Sequence, residues 1–100
     1  MIIYVSHFFK NNLENLERAR QITHDLQVAD LENTYICPLF ALSHLRNSEL
    51  SYEQQIEARI DLLSVCDKMI VASDLSKSVC KEIDFCNLVG MEVQYLEDAE

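Results

Sequence analysis

The chain has 100 residues, 49% hydrophobic and 25% charged, the composition and size of an ordinary single globular domain. Seventeen acidic residues against eight basic ones leave a net charge of -9, which repels polyanions and argues against nucleic acid or an anionic membrane as a partner. No apolar run approaches membrane-spanning length, and the first residues read as a strand rather than a secretory signal, so a cytoplasmic protein is expected.

In chain order, Met1 to Val5 (MIIYV) is a β-branched and aromatic run that predicts a buried strand. Leu13, Leu16, Ala19, Arg20, Ile22 and Leu26 follow at the approximate spacing of one helical face, with Glu14, Glu17, Arg18 and Asp25 turned outward. A second strand, Tyr35 to Cys37, is ended by Pro38. Ser51 and Gln54 have the capping-box spacing, and Ile56, Ile60 and Leu63 carry an amphipathic helix to about Val65, with room for a shorter helix before it. Lys68 to Ala72 predicts a third strand. Ser76 caps a last helix in which Val79, Ile83 and Cys86 share a face and Gly90 is the stop. Met91 to Leu96 predicts a fourth strand, and Glu97 to Glu100 a frayed acidic tail.

Strands separated by helices require crossovers. The expected fold is therefore α/β, a single doubly wound, flavodoxin-like parallel sheet of about four strands flanked by helices, formed by residues 1–100 as one domain. Cys37, Cys66, Cys80 and Cys86 show no metal or redox spacing and are expected as reduced core residues; neither a metal nor a cofactor is implied.

In such a sheet ligands bind beyond the carboxyl ends of the strands, which directs attention to Ser6 to Lys10, Pro38 to Arg46, Ser73 to Ser78 and the acidic tail. Ser76, Lys77 and Ser78, beside Asp74, surround a helix amino terminus, where unpaired amides and the helix dipole favour a phosphate; the plainer alternative is a cap flanked by solvated lysines. Glu82 lies beside the Val79/Ile83/Cys86 stripe, pointing toward the sheet edge as a nucleophile or an ion-pair partner. His7 and His44 come from different post-strand loops and could meet across the crevice. Phe8, Phe9 and Phe40 are core residues or a stacking wall, whereas His24 is expected at the surface.

These residues together resemble the nucleoside 2-deoxyribosyltransferase-like family, in particular its small uncharacterised bacterial and phage members. Ile3-Tyr4-Val5-Ser6, the helix with Asn15 and Ala19, Ile36-Cys37-Pro38, Cys66-Asp67 and above all Ser76 six residues before Glu82 carry the likeness. It implies Glu82 as the group that attacks the anomeric carbon, Ser76 at a phosphate, a bacterial or phage-infected cell as the setting, and a homo-oligomer. The chain departs from the pattern where His7 and Phe8 replace glycine and proline, where Ser78 replaces glycine, and where Arg59 takes the place of a base-side aspartate. Asp61, two residues on, would face about 200 degrees away.

Three readings follow. The preferred one is a protein that binds a phosphorylated nucleoside-type ligand, such as an ADP-ribose-type or cyclic nucleotide signal, and sequesters it with little or no turnover. Its ligand contacts would be Tyr4, Ser6, His7, Phe8, Phe9, Arg59, Asp74, Ser76, Lys77 and Ser78. The second is an N-glycosidase or deoxyribosyltransferase with Glu82 as nucleophile, and the third a protein-interaction module without a pocket.

Overall fold

The computed structural model describes residues 1–46 and 48–96, so the tail at Glu97 to Glu100 lies outside the described residues. Four strands, β1 (Ile2–Ser6), β2 (Thr34–Ile36), β3 (Lys68–Val71) and β4 (Glu92–Tyr95), form one sheet in the order β2-β1-β3-β4, and every neighbouring pair is parallel. Among the described residues the helices are α1 (Leu13–Ala29), α2 (Pro38–Ala41), α3 (Tyr52–Ser64) and α4 (Lys77–Val89), with a 3-10 turn at Ser43–Leu45 after α2. This is the expected doubly wound, flavodoxin-like arrangement.

The sheet is covered on both faces, and strand alternation decides which residue meets which helix. Val5, with Cys37 and Ala72, packs against Ala19, Leu16, Ile22 and Leu26 of α1. Tyr4, Met69 and Val71 pack on the opposite face against Leu63 of α3 and Val79 and Cys86 of α4. Register carries the division across the sheet, because Tyr4 lies opposite Ile36 on one side and Met69 on the other. Each fully buried aliphatic side chain, such as Leu63 or Val79, contributes about 1.5–3 kcal/mol.

Local signals set the helix ends. Asn12 caps α1 by accepting from the Glu14 amide, Ser51 and Gln54 form the complete capping box of α3, and Ser76 Oγ accepts from the Val79 amide at 3.3 Å. Gly90 ends α4 in the left-handed region at φ 78°, where its missing Cβ matters. Asp67 ties the amino ends of β1 and β3 together: its carboxylate accepts from the Ile2 amide at 2.6 Å, and its amide donates to the Ile2 carbonyl at 2.7 Å.

Several details differ from the sequence expectation. Two positions of the predicted α1 face are not core: Leu13 is exposed, and Arg20 lies in solvent paired with Glu17. The α1 helix also runs one turn beyond Leu26, because no breaker intervenes before its cap at Asp30. Cys80 is exposed on α4 while Cys37, Cys66 and Cys86 are buried, all four being free thiols. Among the described residues no helix is long and apolar enough to cross a membrane.

Candidate functional site

The strand order reverses between β1 and β3, since β1 leads outward to β2 whereas β3 leads the other way to β4. Beyond the carboxyl ends of that pair lies the crevice where ligands of open α/β sheets bind. The loops after β1 and β3 meet there, and the Phe8 amide donates to Ser73 Oγ at 3.1 Å.

Beneath this crevice sits a buried carboxylate. Glu82, on the second turn of α4, has no exposed surface, and its oxygens are occupied from two other elements. Ser6 Oγ donates to Oε1 at 2.5 Å, whereas Oε2 accepts from the Tyr4 hydroxyl and from Arg59 Nε, the latter at 3.1 Å. Period-2 alternation puts Tyr4 and Ser6 on the face of β1 that looks toward α4. On α3, Arg59 projects between them and α4. Burying a carboxylate alone is prohibitive, and here the arginine and two hydroxyls compensate it. Burial pushes the Tyr4 phenol well above its ordinary value and the Glu82 charge adds to the effect, so Tyr4 stays a donor through the physiological range. Burial is the largest single influence on Arg59 and works against its charge, but Glu82 and Tyr4 together outweigh it and raise the guanidinium's pKa.

The constellation does not present an open nucleophile. A carboxylate has about four lone-pair sites, and three donors already occupy this one. Attack on a sugar carbon needs an approach of about 3–3.5 Å by an available lone pair, which a fully covered group does not offer.

The remaining candidates are divided by the sheet. His7 is 1% exposed, and its Nδ1 lies 2.7 Å from the Phe8 carbonyl, which only accepts, so Nδ1 carries the proton. Burial lowers its pKa against the pull of that carbonyl, with Arg18 of α1 lowering it further, so the ring is neutral with a lone pair on Nε2. Among the described residues that Nε2 has no partner. Alternation carried one residue past Ser6 puts His7 on the α1 side, across the sheet from Glu82. Phe8 and Phe9 part in the same way, Phe8 packing with the α3/α4 cluster and Phe9 with the α1 cluster, so they form no common stacking wall. His44 is exposed on the 3-10 turn and makes no hydrogen bond to His7.

At the start of α4, Ser76 is spent as the cap, Asp74 is exposed in the preceding loop, and Lys77 extends over the Tyr52 ring with its Nζ 5.4 Å from the centroid. Ser78 Oγ is 3.2 Å from the Tyr52 hydroxyl. Tyr52 was not singled out by its sequence context. Its signal was its place as the first residue of α3, whose amino terminus comes to the same end of the sheet as that of α4. Arg46 was missed as well: it lies in a post-strand segment that topology marks, but no motif distinguishes it. Its Cζ stands 5.5 Å from the Phe9 ring centroid.

No metal-ligating cluster of His, Cys, Asp and Glu occurs among the described residues. Comparison with protein-family models, with curated proteins and with solved structures finds no match to this chain.

Proposed function

We propose that this chain binds a phosphorylated nucleoside-type ligand at the carboxyl ends of β1 and β3 and holds it without turnover. The observation that carries the reading is the burial of Glu82: Tyr4, Ser6 and Arg59 engage both oxygens of the carboxylate expected to attack a sugar in an internal network. What supports a ligand at this place is the strand-order reversal together with the amino terminus of α4, where the first amides precede the one that Ser76 caps. An ADP-ribose-type or cyclic nucleotide signal fits the preferred class, with sequestration as the role. The reading includes self-association, favoured by the small size of the domain and by apolar residues such as Leu88 and Val89 left exposed at the end of α4.

The test is to incubate the purified protein with a mixed nucleotide extract, wash it, denature it and identify what is released by mass. Recovery of an intact nucleotide is expected. Free base, or steady base release from a nucleoside monophosphate by the folded protein, would replace binding with N-glycosidic cleavage. That second reading has one favourable observation, the Tyr4 hydroxyl directed onto Glu82, since a nucleophile must be oriented by a neighbour. Absence of any bound nucleotide would leave the protein-interaction reading.

A further inference from the structure

Arg59 does more than neutralise Glu82. Its Nε makes that contact, while its Nη2 is buried and, among the described residues, has no hydrogen-bond partner. A buried guanidinium N–H without an acceptor is unfavourable, more so in a charged group, which makes the surroundings of Arg59 worth following. Arg59 also lines a cavity of about 80 Å³ between α2, α3 and the loop after β1. Phe9, Leu39 and Leu42 form apolar walls, and Arg46, Gln55 and Arg59 bring the polar groups.

The polar groups are mostly donors. Arg46 is held in place by donating from Nη1 to the Leu39 carbonyl at 2.5 Å and by stacking on Phe9, and Gln55 Nε2 donates to the Leu50 carbonyl. Among the described residues no acidic side chain pairs with Arg46, while Arg59 is already neutralised by Glu82, so the cavity keeps one uncompensated positive charge. At well under the roughly 300 Å³ of a drug-sized site, it has room for one compact group and not for a nucleoside.

We infer that this cavity is an oxyanion subsite, in which the Arg46 and Arg59 side chains that line it hold a single phosphate or carboxylate group. It is separate from the amino terminus of α4. It deepens the proposed function, on which it rests for the larger ligand: a ligand reaching both places carries two anionic groups, one at each end. The subsite also couples to Glu82, because the same guanidinium serves both.

The test uses the whole chain and inorganic phosphate as probe, with acetate as a second arm and chloride at equal ionic strength as control. Phosphate is expected to shift the Arg59 and Arg46 side-chain Nε–H resonances and to raise Tm above the chloride control. Arg46→Gln, a half-exposed position whose loss leaves the Glu82 network whole, should weaken phosphate binding at least tenfold. A stronger response to acetate assigns the cavity to a carboxylate, and a stronger response to phosphate assigns it to a phosphoryl group. Phosphate that binds Arg46→Gln as well as the parent chain overturns the subsite, as does the absence of any arginine shift. Nucleotide recovered intact from Arg46→Gln in the extract experiment would leave the proposed function standing while the subsite fails, which separates the two.

Discussion

At the scale of single residues, the Glu82–Arg59 pair is the contact whose loss is felt most. Removing one partner from a buried pair costs about 3–5 kcal/mol, and the slight exposure of the Arg59 side chain puts this case at the lower end. Such a loss is a large share of the roughly 5–15 kcal/mol that holds a domain together. Glu82→Gln and Arg59→Met should each lower the urea midpoint sharply, and the double variant should recover about 0.5–3 kcal/mol of the sum. Strict additivity would show that the pair is not coupled. His7 gives a second residue-scale prediction. Its folded pKa lies below the ordinary 6.5, so between the two values the unfolded chain binds more protons, and stability rises with pH. The contribution is whole above about pH 6.5 and is lost as the pH falls toward the folded value. Urea midpoints measured from pH 7.5 to 5 should show that fall, and His7→Asn, which keeps a donor for the Phe8 carbonyl, should flatten it. A parallel slope in the variant would assign the acid sensitivity to another group.

At the scale of elements, the ends of the helices carry the testable energies. Ser76→Ala should cost about 1 kcal/mol through the lost cap on α4. Gly90→Ala should cost about 1–2 kcal/mol from its backbone conformation alone, because a Cβ there would meet nothing within 4 Å. Chemical denaturation of the two variants measures both, and a Gly90→Ala loss well above that range would mean that a contact, not φ, is at stake. These same elements show what a sequence discloses. The caps at Ser51 and Ser76, the stop at Gly90 and the four strands were legible because they rest on local chemistry, and so was the inward position of Glu82, which follows from helical periodicity. The partner of Glu82 was not. Arg59 stands 23 residues before it on another helix, and only the packing of α3 against α4 brings them together. The opposite placement of His7 and Glu82 escaped for a similar reason: both belong to the crevice by topology, but strand alternation sorts them to different faces. Tyr52 and Arg46 were marked only by position, the one at the start of α3 and the other at the end of a post-strand segment, and not by any motif.

At the scale of the whole molecule, the parallel sheet makes nearly every stabilising contact a distant one in sequence. The β1 strand pairs with β2 and β3, and Ile3 is registered with Lys68. With both faces of one sheet covered, unfolding should be a single cooperative transition, and far-ultraviolet circular dichroism and tyrosine fluorescence should give coincident urea curves. Separated transitions would mean that α1 and its face open independently of the α3/α4 face.

The central position of β1 also has a consequence in time. At a synthesis rate of about 5–20 residues per second, β3 emerges roughly 3–13 s after β1, and α4 later still. Through that interval the nascent chain holds an apolar strand with one edge unclosed, and slow parallel pairing awaits its distant partner. The Tyr4 and Ser6 hydroxyls acquire Glu82 only when α4 has docked. A ligand of the proposed kind, bound at this end of the sheet, would therefore stabilise only chains extended past α4, so its concentration would govern the lifetime of the folded protein and not the early steps by which it folds.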